Sequence, residues 1–275
     1  MNAGVTIAAV QPFLRRHPLA VYFAGAYALT WSVWIPLAAS GARVDFGSAA
    51  THVPGLFGPA PAALLITAAT SGANGVGRLL LSCISFRGGL RWLAFAVLSP
   101  LAAFAVAALF TGVPPLSGLG EFAGFPEAGV LPLWFMLLLA AYGEEIGWRG
   151  FALPRLQRTR SALGATVLLA CAWAGWHAPA FVLLAAWAGM TPGAMAGFFL
   201  GMLGGAFVLT WLYNRTGGSV LLAALWHASF NLVTGSRAGR GAMAAAVSTA
   251  AMLFGFALAA LDVRARKRGG RAVLG

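Results

Sequence analysis

Acidic residues are scarce: six Asp and Glu stand against eighteen Lys and Arg in 275 residues, and charged residues of both signs make up only 9%. That leaves too little polar surface to coat a soluble globule, which excludes an ordinary cytosolic enzyme. Cysteine is scarce too. Cys83 and Cys171 stand far apart with no C-x-x-C or ligand spacing, so neither a disulfide framework nor a zinc site follows from them. No Walker-type phosphate loop, heptad array, convincing internal or inverted repeat or H-E-x-x-H is found. The start, MNAGVTIAAVQPFLRRHP, lacks the basic stretch and small-residue cleavage site of a signal peptide, so the first apolar span is expected to be retained.

What the chain does have is apolar length. Hydrophobic residues make up 60% of it, and a mean hydropathy of +0.83 is spread end to end, broken only by short loops. This is the pattern of a polytopic membrane protein. A helical crossing needs about 20 apolar residues. Runs of that order fall at 18–40, 53–71, 91–111, 130–153, 162–187, 192–213, 218–234 and 242–261. The expected fold is therefore all-α, a polytopic integral membrane bundle of about eight transmembrane helices in a single domain over 1–275. Pro54, Pro59 and Pro61 crowd the start of the second run and the seventh is short, so either is a candidate re-entrant segment. Between the second and third, GVGRLLLSCISFRGGLRW sets Arg78, Arg87 and Arg91 around an apolar patch, which suits a helix in the headgroup region.

The net charge of +12 is carried by loops and lacks the aromatic interleaving of an RNA-binding surface, so the expected partner is the lipid bilayer and not nucleic acid. With both termini cytoplasmic, inside regions hold fourteen basic residues, five of them in the basic tail 262–275. The outside loops then hold only Arg43, Arg237 and Arg240. That bias orients the chain. Arg outnumbers Lys by 17 to one and Ala and Gly are abundant, which fits a GC-rich bacterial genome and, with it, the cell inner (plasma) membrane. Along the sixth run Gly193, Gly197, Gly201 and Gly205 recur every four residues, a row expected to pack helices inside the bundle or to join two copies in a homo-oligomer.

Charge at membrane depth costs roughly 2.5–3.5 kcal/mol per residue even on the lenient insertion scale, so each buried charge is a functional-site hypothesis. The set is small. Asp45, Glu121 and Glu127 fall in loops and Asp262 ends the last run, which leaves Glu144 and Glu145 in the fourth; His177 lies in the fifth and His227 in the seventh, while His17 and His52 lie outside. Glu145 and Arg149 are an i,i+4 pair in the order that favours an ion pair, and Glu144 points about 100° away, free for chemistry. His227 and Asn231, also i,i+4, share a face. Singly, each has a structural reading: a packed histidine, a buried ion pair. Together, on three spans, they fit a cavity that activates water as a general base, binds a metal or stabilises an oxyanion, and hydrolysis is the natural reaction.

These residues resemble the CPBP intramembrane proteases, the CAAX-protease and bacteriocin-processing (Abi) family. The first family motif, E-E-x-x-x-R-G, is EEIGWRG with Glu144, Glu145, Arg149 and Gly150. The second, an aromatic four residues before a histidine, is WAGWH, with Trp173 where Phe is usual before His177. The third, H-x-x-x-N, is HASFN with His227 and Asn231. The resemblance covers roughly 75–235. It implies a helical membrane endopeptidase acting on a protein or peptide substrate in a cavity open toward the cytoplasm. Glu144 would polarise the attacking water, Glu145 and Arg149 would support it, and His177, His227 and Asn231 would complete the site. Zinc on His177 and His227 is one reading of the family; metal-independent action, with His227 and Asn231 as oxyanion hole, is the other and is preferred here, since two histidines make an incomplete catalytic zinc site. Bacteriocin self-immunity or scaffolding without catalysis is a competing function. A proton-coupled transporter fits less well, because the polar set is confined to the second half and no inverted repeat accompanies it.

Overall fold

The computed structural model describes residues 11–275, so the N-terminal stretch read as lacking a signal peptide lies partly outside it. Eight long helices form the described chain: α1 Pro18–Ala39, α2 Pro59–Ile84, α3 Leu90–Thr111, α4 Val130–Glu145, α5 Ala162–Trp176, α6 Pro192–Arg215, α7 Val220–Gly235 and α8 Ala242–Lys267. Among the described residues there is no strand, only two isolated bridges. Six stretches are long and apolar enough to cross a bilayer; α5 and α7 are shorter, at 15 and 16 residues. The chain is an all-α, multi-pass membrane bundle. At 1.5 Å per residue α7 rises only about 24 Å, less than the roughly 30 Å hydrocarbon layer. It can be short because protein surrounds it: α7 packs against α3, α4, α6 and α8. Outer faces carry exposed Leu109, Phe110, Leu81 and Leu253, apolar surface that only lipid would cover.

Two expected spans differ in extent. The fifth, expected over 162–187, ends as a helix at Trp176. Pro179 follows, and single turns at Ala180–Leu183 and Ala185–Ala188 flank an extended Leu184. Hydropathy continues through this segment, but proline disfavours helix at the residue before it and has no N–H to give. The freed backbone is paired elsewhere: Val44 N–H donates to the Leu183 carbonyl at 2.9 Å, and Ala185 N–H to the Val44 carbonyl at 3.0 Å. The second span runs longer than expected, through Ile84, with a kink at Gly72, whose φ of 63° only glycine adopts readily. That kink sets off the stretch bearing Arg78.

The glycine row is a correction. A methyl group at Gly193, Gly197 or Gly205 would meet nothing within 4 Å, and at Gly201 only the Ser248 Cβ at 4.0 Å. The row therefore packs no helix inside the bundle; Gly197, Gly201 and Gly205 face an open cavity. Close approach of α6 to α8 uses Gly204 and Gly255 instead, where an added Cβ would come 2.5 Å from Met252 Cα and 2.0 Å from the Gly204 oxygen. Asp262, expected merely to end the last span, is buried. Its carboxylate accepts from Arg266 Nε and from the Val273 and Leu274 amides at 2.7–2.9 Å, folding the tail back onto α8.

Contacts sort the two ends of the bundle. Gln11 reaches the Ala69 carbonyl, Asn214 the Leu274 carbonyl, and Ser219 the Ser85 carbonyl. Both ends of the described chain and the arginine-rich connections therefore share one end.

Candidate active site

Local sequence puts the motif residues at helix ends. Glu144 and Glu145 close α4, and the next seven residues, Ile146–Ala152, form a turn of π-helix carrying Arg149; such turns recur at functional sites. Ser161 caps α5 by accepting from the Gly164 amide, and Ser219 caps α7 by accepting from Leu222. These caps set the start of the two helices bearing the imidazoles. His177 is the C-cap of α5. Trp176, next to it, is tied to α1 by its Nε1–H donating to Thr30 Oγ1 at 2.7 Å.

The charged groups form one chain. Glu145 Oε1 accepts from Arg149 Nη1 at 2.8 Å and from His227 Nδ1 at 2.9 Å, with Glu145 and Arg149 wholly buried. Arg149 Cζ lies 4.7 Å from the centre of the Trp173 ring, a cation–π contact that partly replaces lost hydration. Trp173 Nε1–H donates to Glu144 Oε2 at 2.8 Å. The Trp173 carbonyl is bonded to His177 Nδ1 at 2.8 Å. A carbonyl can only accept, so His177 Nδ1 carries the proton and Nε2 keeps its lone pair. Both imidazoles pack against the same indole, with ring centres at 5.7 Å for His177 and 5.6 Å for His227.

Glu144, His177, His227 and Asn231 all line one cavity of about 500 Å³. Glu145 and Arg149 stand behind it. The rest of the wall is largely apolar, including Trp187, Phe198, Met202 and Phe230. Asp45, Phe46, Phe122, Phe125 and Arg240, from connections at the end opposite the arginine-rich one, also line it.

Three features escaped the sequence reading. Trp173 is a hydrogen-bond donor to Glu144, where the Phe usual at this position has none. The Glu145–His227 bond joins residues 82 apart in sequence. His52, read as lying outside the apolar spans, also lines the cavity, and burial pushes its imidazole down to about 4, so it is neutral near pH 7. Only the indole of Trp173 had a visible signal, its N–H.

Among the described residues no three His, Cys, Asp or Glu side chains come together as a metal-holding group, whereas a catalytic zinc takes three protein ligands.

Comparison with known proteins adds an independent line. Residues 126–233 match the family model described as "Type II CAAX prenyl endopeptidase Rce1-like". A stretch of 112 residues is 33% identical to "CAAX prenyl protease 2" of Methanococcus maripaludis, covering 37% of this chain and 39% of that protein. The chain thus spans about two fifths of the length of the curated relative it matches. The matched segment, residues 126–233, contains all three motifs in order, so over that stretch the chain is similar to the Rce1-like endopeptidases.

Proposed function

We propose that this protein is an intramembrane endopeptidase that hydrolyses peptide bonds in protein or peptide substrates without a metal. The observation that carries the reading is the meeting of Glu144, His177, His227 and Asn231 in one cavity. Glu144 holds one carboxylate oxygen on Trp173 and uses the other to take a proton from water; His177 Nε2, the free acceptor, orients that water. As the hydroxide adds to the substrate carbonyl, the developing oxyanion is met by the Asn231 amide and by His227 Nε2–H, whose imidazolium is stabilised by Glu145 on Nδ1. Glu144 then returns its proton to the leaving amine, and the peptide bond breaks. The apolar wall and the bare glycine row leave room for an apolar stretch of substrate beside the scissile bond. Comparing N- and C-terminal fragments in cells carrying the wild type or Glu144→Ala tests the proposal. Fragments that vanish with the substitution are expected, and identical fragment sets point instead to a binding or immunity role.

The same reading includes an orientation. Fourteen basic residues lie in the regions that share the termini's end and three in those of the other, so both termini are cytoplasmic and the cavity opens on the opposite face of the cell inner membrane. In a Cys83→Ser, Cys171→Ser background, a membrane-impermeant maleimide on intact cells should label Asp45→Cys and spare Arg268→Cys. The reverse pattern overturns the orientation.

A further inference from the structure

At the arginine-rich end, away from the catalytic cavity, lies a second pocket of about 220 Å³ lined by Arg78, Arg155 and Arg158 and by the hydroxyl-bearing Thr67, Ser71 and Ser82. None of the six acids lines it. Among the described residues the Arg–carboxylate ion pairs use Arg149, Arg237 and Arg266, so these three arginines have no carboxylate partner. Arg155 is held in place by donating to the Phe151 carbonyl at 2.9 Å and by lying 3.6 Å from the Phe151 ring centre. The Thr67 hydroxyl is buried with no hydrogen-bond partner, which is costly unless something in the pocket accepts from it.

Three guanidinium groups around one small polar pocket repel one another, and only an anion reverses the sign of that interaction. Guanidinium forks match the oxygens of phosphate, and hydroxyls add neutral donors to the same oxygens. Gly150 lines the same pocket, so a bound anion would also brace the π-turn bearing Arg149.

We propose that this pocket binds a phosphate group, carried by an anionic phospholipid or by a soluble phosphate. The pocket is separate from the proposed catalysis, and its test does not need activity. Purified full-length protein is titrated with inorganic phosphate, with chloride keeping ionic strength constant, while its thermal midpoint is followed. Native mass spectrometry then reads retention of phosphatidylglycerol against phosphatidylcholine. The variants are Arg78→Gln with Arg158→Gln, both exposed side chains, and separately Thr67→Val. Saturable binding that weakens about tenfold or more in the double variant supports the site. Selective retention of phosphatidylglycerol assigns the phosphate to a lipid; binding of inorganic phosphate without lipid selectivity assigns it to a soluble source. Should the double variant fail to fold, weakened binding in Thr67→Val supports the proposal by itself. No saturable response to either probe, or equal binding by wild type and the variants that fold, overturns it.

Discussion

The indole N–H of Trp173 donates to Glu144 Oε2 at 2.8 Å, from the last turn of α5 to the end of α4. One oxygen of the proposed base is thereby fixed and the other left for water. Trp173→Phe keeps an aromatic ring beside Arg149 and both imidazoles while removing the donor and trimming the buried ring. A hydrogen bond to a charged group contributes about 1.5–3 kcal/mol, so kcat should fall roughly 10- to 100-fold with KM little changed. Unaltered kcat in Trp173→Phe would mean that Glu144 does not depend on this bond.

Glu145 holds Arg149 and His227 on one oxygen. Glu145→Gln leaves the buried guanidinium charge uncompensated, at about 3–5 kcal/mol, whereas Glu144→Gln removes a carboxylate that faces the cavity. Detergent-solubilised yield and thermal midpoint should therefore drop far more for Glu145→Gln. Equal values for the two variants would sink this division of labour.

A pair of glycine substitutions separates the two faces of α6. Gly201→Ala adds a methyl into open cavity and should change stability by less than about 0.5 kcal/mol. At Gly204 the new Cβ meets the α8 backbone, and a cost of about 1–3 kcal/mol is expected from overpacking. Thermal unfolding of the two variants checks the contrast, and a loss at Gly201 as large as at Gly204 would return the row to a packing role. Gly201→Leu should lower kcat/KM by filling the cavity without unfolding the chain.

These contrasts also mark what was legible in the sequence. Local spacing was enough for Glu145 with Arg149, because i,i+4 side chains on a helix meet whatever surrounds them, and for the six long apolar helices, because lipid demands long apolar runs. Spacing also put the glycines on one face, but it says nothing of what that face looks at. Hydropathy carried the fifth span past Trp176 because it does not register that Pro179 breaks the helix. Glu145 with His227, and His52 in the cavity, depend on how α1, α4 and α7 pack, and no local pattern encodes that. Asp262 looked like a terminal charge because the tail that buries it has no periodicity to announce it.

Most direct for the central claim, that Glu144 activates water without a metal, is the rate of peptide hydrolysis by purified wild type and Glu144→Gln, both dialysed exhaustively against a strong chelator. The substrate is a peptide spanning a cleavage site found in cells. Wild type should keep its rate, and Glu144→Gln should fall about 10²- to 10⁴-fold, the range for loss of a general base. A Glu144→Gln rate within a factor of two of wild type would contradict the account, as would a chelated wild type that is inactive until stoichiometric zinc restores it.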